Sequence, residues 1–144
     1  MIEQDTIRLL RECDSGIKMG ITSIKDVIDY VSNEDFRKIL IDYKSKHMEF
    51  MNEIQTLLDN YHDEGKDPNP VATSMSWMKT NIKLVMNESD QTIADLMTDG
   101  CNMGIKSLNK YLNQYKAADE KSKDITKRLI ALEEKLAADM KDFL

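Results

Sequence analysis

The chain has 144 residues, enough for one domain with a core of its own, and it carries a net charge of −6. That acidic balance argues against nucleic acid as a primary partner, because phosphate binding calls for a basic face. Apolar runs stay well short of the roughly 18 residues of a membrane span. Residues 1–10 carry charges where a signal peptide would be apolar. We therefore expect a cytoplasmic protein without a membrane span, whose 2 cysteines are reduced thiols.

Long helices are predicted at the start of the chain, which has only 5 glycines and 2 prolines in all. Apolar residues recur at steps of three and four over residues 6–31 and again over residues 33–61. Asp5 or Thr6 can cap the first helix, and the polar turn at residues 32–35 can cap the second. So short a turn makes these two helices antiparallel.

A second pair of helices is predicted after a long connection. Residues 63–70 are a polar loop that contains both prolines, and residues 74–86 form a short amphipathic helix within the crossover. The third helix covers residues 89–117, and the fourth, after a polar turn at residues 119–122, covers residues 123–143. The predicted fold is all-α, a single four-helix bundle of two helical hairpins over the whole chain, with the third helix parallel to the second.

One short phrase occurs twice. The sequence Cys-x-x-Gly-Ile-Lys begins at Cys13 and again at Cys101, an offset of 88 residues. The second and fourth helices also match, from Asp35 and Asp124 onward, at an offset of 89. We interpret the halves as two related hairpins about a pseudo-twofold axis; the alternative is that amphipathic helices simply look alike. The glycine of each phrase would then mark close contact between the first and third helices.

Several polar residues fall on the inward faces of the predicted helices. Asp14 and His47 lie within roughly one helical turn of the same height, Cys101 faces inward from the third helix, and Glu133 and Glu134 flank the inward face of the fourth. Asp14 and His47 can satisfy each other as a buried pair. Alternatively, Asp14, His47 and Cys101 bind a single zinc, iron or copper ion, with Glu134 as a further ligand.

The two cysteines have two interpretations of their own. A thiol is small and apolar enough to fill core space, which is the simpler role for Cys13 and Cys101. A redox switch through the same two residues would need exposed thiols in an electropositive setting.

Four stretches resemble a known family, the small bacterial ferritin-like four-helix bundles of unknown function. They are Gly100-Cys101-Asn102-Met103-Gly104-Ile105, Leu108-Asn109-Lys110-Tyr111-Leu112, the segment around Trp77 and Leu132-Glu133-Glu134-Lys135. The resemblance covers nearly the whole chain and implies a ferritin-like fold with a crossover between hairpins.

The resemblance does not extend to the ligands of a di-iron centre. Di-iron members of that class use one Glu from each of two helices and a Glu-x-x-His from each of the other two. Here Lys44 stands three residues before His47, Cys101 follows Gly100 where better-endowed relatives have Glu, and no second Glu-x-x-His is present. Because these di-iron ligands are missing, the resemblance does not imply ferroxidase activity for this chain.

Two functions follow as expectations. The first is a binding or scaffolding bundle that is not an enzyme, with no cofactor and with a homodimer as one form of assembly. The alternative is a redox or iron-handling protein that binds iron or zinc through Asp14, His47 and Cys101.

Overall fold

The computed structural model describes residues 2–67 and 89–144, and nearly all of this part is helical. Short 3-10 turns at Ile28–Tyr30 and Lys141–Phe143 extend the first and last helices. For these residues the prediction of an all-α fold with four packed helices is confirmed, while the predicted helix at residues 74–86 lies outside them. The helices are α1 (Ile2–Val27), α2 (Glu34–Asp59), α3 (Ser89–Gln114) and α4 (Glu120–Met140).

Side-chain caps set the starts of α2 and α4. The Asn33 side chain accepts a hydrogen bond from the Phe36 N–H at 3.0 Å, so α2 begins where the polar turn predicts. Asp119 does the same for the Ser122 N–H at 2.8 Å. The prediction that residues 119–122 form a separate turn is therefore wrong, because Asp119 is itself a cap and α4 starts three residues earlier than expected.

The start of α1 is tied to the turn between α3 and α4. The prediction that Asp5 or Thr6 caps α1 is wrong, because α1 already begins at Ile2. Their side chains instead accept hydrogen bonds from the backbone N–H groups of Ala117 and Asp119, at 3.0 and 2.8 Å. The beginning of α1 and the end of α3 therefore lie side by side.

The opposite end of the bundle has a matching contact. Asp90, in the first turn of α3, accepts hydrogen bonds from the backbone N–H groups of Ser32 and Asn33 at 2.8 and 3.0 Å. Consequently α1 and α3 are antiparallel, whereas α2 and α3 run in the same direction. The end of α2 and the start of α3 lie at opposite ends of the bundle.

Buried apolar side chains from all four helices form one core. Helix α1 packs against the other three and α4 does the same, so α2 and α3 occupy the far corners. Phe36 and Phe143 stack with ring centroids 4.3 Å apart, which closes one end. Fully buried aliphatic residues fill the length of the bundle, among them Leu10, Ile17, Ile24, Leu40, Ile54 and Ile125.

A buried carboxylate fastens the chain after α2 onto α1. Asp14 is 0% exposed and accepts hydrogen bonds from the Gln55 side chain at 2.9 Å and from the Lys66 N–H at 3.0 Å. The Lys18 ammonium lies 2.8 Å from the same carboxylate, one turn along α1. Because a buried carboxylate is stable only when it is paired and hydrogen-bonded, Asp14 holds residues 65 and 66 in place.

Gly65 meets two constraints at this clamp. Its φ is +88°, in the region that side chains with a Cβ rarely adopt. A Cβ built on its backbone would also overlap the Asp14 carboxylate. Both the backbone conformation and the contact with Asp14 therefore require glycine at this position.

We expect the Gly65→Ala variant to lose roughly 2–4 kcal/mol of unfolding free energy, because it combines backbone strain with a disturbed buried carboxylate. Urea denaturation measures the change. Gly16→Ala is the matched control: among the described residues nothing lies within 4 Å of a Cβ added there, and it is helical. This control should be neutral or gain up to about 1 kcal/mol. Equal losses in both variants would contradict the clamp.

Candidate functional site

A cleft with a volume of about 270 Å³ lies between α1 and α3, and side chains of α2 and α4 form its floor. Four helical glycines line it, namely Gly16 and Gly20 on α1 and Gly100 and Gly104 on α3. For Gly16, Gly100 and Gly104, no heavy atom of the described residues lies within 4 Å of an added Cβ. The expectation that Gly16 and Gly104 mark close helix contact is wrong, because an added Cβ at either position would lie more than 4 Å from the described residues of the facing helix.

The two cleft walls repeat each other at an offset of 84 residues. The phrase Gly-x-x-Met-Gly-Ile-x-Ser starts at Gly16 on α1 and at Gly100 on α3. Its glycine, methionine and serine positions all line the cleft: Gly16, Met19, Gly20 and Ser23 on one side, Gly100, Met103, Gly104 and Ser107 on the other. This phrase is the sequence signal that could have located the cleft.

Burial supports the offset of 84 over the offset of 88. Ile17 and Cys101, which correspond at 84, are both buried, as are Ile24 and Leu108. At 88, the buried Asp14 would correspond to Asn102, which is exposed. The shared Cys-x-x-Gly-Ile-Lys phrase is therefore displaced by four residues, about one helical turn, from the correspondence that the bundle uses.

A histidine and a glutamate meet at the cleft floor. His47 on α2 is 1% exposed, and its Nε2 lies 2.6 Å from Oε1 of Glu133 on α4. Its Nδ1 lies 2.6 Å from the carbonyl oxygen of Tyr43. Since a carbonyl only accepts hydrogen bonds, Nδ1 carries a proton, and the short Nε2–Oε1 contact holds a second one. With that proton on Nε2, the imidazolium donates to the Glu133 carboxylate and the pair is neutral overall.

The protonation of His47 reflects two opposed effects. Burial disfavours the charged imidazolium, but the hydrogen bond and the negative charge of Glu133 outweigh burial. The bond to the Tyr43 carbonyl acts in the same direction as Glu133. The net result raises the pKa of His47 above its ordinary value of 6.5.

The His47 ring fits between the helices because the neighbouring residue on α1, Gly20, has no side chain. A Cβ on Gly20 would stand 3.0 Å from Cδ2 and 3.1 Å from Nε2 of His47. Such distances are shorter than ordinary van der Waals contact, so the His47 ring would have to shift by a few tenths of an ångström to admit alanine at this position. Gly20 thus serves the His47–Glu133 pair, whereas the other three glycines leave open volume.

Both thiols are free, buried and held in their protonated form. Burial raises the pKa of Cys101, and the neighbouring charge and hydrogen bond of Glu133 raise it further. Burial likewise raises the pKa of Cys13 to about 12, although its bond to Thr126, with Sγ 3.2 Å from Oγ1, opposes this slightly. A reactive cysteine needs an accessible thiolate, so neither setting suits a nucleophile or a redox sensor.

The residues predicted as metal ligands are divided between two places. His47 and Cys101 both contact Glu133 at the cleft floor, while Asp14 belongs to the clamp with Gln55 and Lys66. The predicted Asp14–His47 pair is therefore wrong, because each side chain has other partners. Glu134 is exposed, and the neighbouring Glu133 is the carboxylate that faces inward. Within residues 2–67 and 89–144, no group of three or more His, Cys, Asp or Glu side chains is placed to hold a metal ion.

In the part of the chain that the structure describes, the fold is helical and the cleft opens at the surface between α1 and α3. Comparison with protein-family models found no match, and neither did comparison with characterised proteins or with solved structures. In the described ranges, no helix combines the length and the apolar character needed to cross a lipid bilayer.

We expect the stability of the protein to fall as the pH rises above about 6.5, the ordinary pKa of histidine, and through the raised pKa of His47. Because folding raises the pKa of His47, the folded chain holds a proton that the unfolded chain releases. The resulting stabilisation is complete below the ordinary pKa and is lost as the pH passes through the raised one. Urea denaturation at several pH values measures the slope, and His47→Gln should flatten it. An equal slope in that variant would contradict the assignment to His47.

We expect thiol labelling of the folded protein at pH 8 to be at least about a hundredfold slower than labelling in denaturant, because both thiols are buried and protonated. Labelling with a disulfide reagent, followed spectroscopically, gives the rates. Cys13→Ala and Cys101→Ala separate the two thiols. Rapid labelling of either one in the folded state would restore the redox-switch interpretation.

Proposed function

We propose that the protein is a ferritin-like bundle in the cytoplasm that binds a small ligand in the α1–α3 cleft and catalyses no reaction. The ferritin-like assignment is supported by two antiparallel hairpins in which α2 and α3 share one direction. In such a layout, the connection between the hairpins crosses the length of the bundle. A homodimer is compatible with this proposal, and a scaffolding role would leave the cleft unused.

The observation that carries the binding role is the cleft with its polar floor. Ligand sites are typically concave and mostly apolar, with a few converging polar groups and perturbed pKa values. The cleft has a volume of about 270 Å³, and its floor presents His47, Glu133 and Cys101 among leucine and methionine side chains.

The residues present do not fit a di-iron centre. Asp14, the inward carboxylate of α1, is already bonded to Gln55, Lys66 and Lys18. His47 and Glu133 hold each other, and Lys44 brings a positive charge to the helix position where the di-iron pattern has Glu. We therefore derive no reaction step through iron.

Metal binding remains the second candidate on a narrower basis. Of the three predicted ligands, His47 and Cys101 converge on the cleft floor beside Glu133, and this nitrogen, sulfur and oxygen set is one that zinc accepts. Metal analysis after purification without chelator or affinity metal decides between the candidates. We expect far less than one equivalent of iron or zinc. A full equivalent that His47→Ala removes, and that the control variant His62→Ala, outside the cleft, retains, would overturn the first proposal.

Binding in the cleft is tested by an NMR screen of a mixed fragment library against the isotope-labelled full chain. We expect some fragments to shift the amide signals of cleft residues in the parent. The same shifts should be lost in Gly104→Leu, whose side chain projects into the open volume. Asn109→Leu, exposed on the same helix, is the matched control and should keep them. Shifts absent from the parent, or unchanged in Gly104→Leu, would refute the cleft as a binding site.

A further inference from the structure

We infer that the cleft takes an uncharged, flat aromatic molecule of about two fused rings, with one hydrogen-bond donor directed at Glu133. This inference rests on the proposed binding function and adds the chemical class of the ligand. Four properties of the cleft carry it: its volume, its walls, its charge balance and the acceptor on its floor.

The volume sets the size of the ligand. An engineered apolar cavity of about 150 Å³ holds one benzene ring. The cleft, at about 270 Å³, therefore has room for roughly two fused rings. The glycine positions that keep this volume open cost helix stability, about 1 kcal/mol each relative to alanine.

The walls favour an aromatic surface. Three methionines line the cleft, Met19 on α1 and, on α3, the buried Met97 and Met103, which is 63% exposed. Their flexible thioethers adapt to the shape of a ligand and make favourable contacts with the edges of aromatic rings. The glycines between them let a flat molecule approach the helix backbones on both sides.

The charges of the cleft are already balanced. At the floor, His47 and Glu133 form a pair that is neutral overall. At the rim, Glu12 is paired with Lys66, whose Nζ lies 2.6 Å from Oε1. A charged ligand would place an uncompensated charge against a mostly apolar lining, which carries a desolvation penalty. An uncharged ligand avoids that penalty.

The floor offers a hydrogen-bond acceptor. Glu133 lines the cleft, its side chain is 15% exposed, and His47 and Cys101 are its two neighbours there. An ionised carboxylate has about four acceptor positions, so capacity remains for one donor from a ligand. A hydroxyl or a ring N–H of a ligand can donate to this free position of the carboxylate. A ligand group that only accepts hydrogen bonds would place its lone pairs against those of the carboxylate and would be repelled.

Three matched probes test the inference by NMR titration of the full chain at pH 7. They are 2-naphthol, which has the donor, naphthalene, which lacks it, and 2-naphthoate, which is charged. We expect 2-naphthol to shift the amide signals around the cleft with saturation. Naphthalene should bind about tenfold more weakly, because one hydrogen bond to a charged group is lost. Naphthoate should bind more weakly still.

Two variants assign the effect to the residues named. Gly104→Leu should abolish binding of both neutral probes and should melt no lower than the parent. Glu133→Gln should reduce the advantage of 2-naphthol over naphthalene several-fold; the ratio of the two affinities is the readout, because loss of the ion pair with His47 affects both probes alike. An unchanged advantage in Glu133→Gln would overturn the donor assignment, and a Gly104→Leu variant that melts lower would indicate a cleft already filled by the chain.

The outcomes separate the inference from the proposed function. If other fragments bind in the cleft but 2-naphthol does not, the ligand class is wrong and the binding function stands. Equal affinity for 2-naphthol and naphthalene, or tight binding of naphthoate, would also overturn the ligand class. If no fragment of any kind binds in the cleft, both proposals fail.

Discussion

The short contact between His47 and Glu133 is the constraint on which the interior of this bundle depends. It joins α2 to α4 at 2.6 Å, and it has room because Gly20 on α1 lacks a side chain. Taking either group out of water is costly, and each is tolerated because the other neutralises it. The helices α1, α2 and α4 therefore have to keep their relative positions for the hydrogen bond between Nε2 and Oε1 to form. The same requirement fixes the floor of the cleft.

Asp14 illustrates the opposite use of a buried charge. The contacts that the structure gives its carboxylate, from Gln55, Lys66 and Lys18, all hold neighbouring parts of the chain in place. Gly65 packs so closely against this carboxylate that a Cβ there would overlap it. Such a carboxylate could join a metal site only by releasing the segment after α2. A network in which every polar group is hydrogen-bonded makes the fold more rigid. We therefore assign Asp14 a structural role.

Local sequence predicts the four long helices, a cap within the polar turn at residues 32–35 and the inward positions of Asp14 and His47, because these depend on residue types and spacing along one helix. The partners of these residues depend on how helices rotate against one another. A helix turns by about 100° per residue, so a small rotation decides that Glu133 faces His47 and that Glu134 is exposed. The Cys-x-x-Gly-Ile-Lys repeat lies one turn away from the structural correspondence for the same reason, since identity over a six-residue phrase does not report which side of a helix is buried.

The glycines connect this packing to function. Alanine at Gly16, Gly100 or Gly104 would meet no described atom within 4 Å and would strengthen its helix, so packing of the described residues does not explain glycine there. Stability given up without a structural gain is typical of functional positions. The cleft they open contains a neutral pair and a protonated thiol in place of an activated nucleophile. Ligand recognition needs a complementary shape and a hydrogen bond, both of which the cleft offers, whereas catalysis needs a reactive group. We therefore propose ligand binding as the role of the cleft.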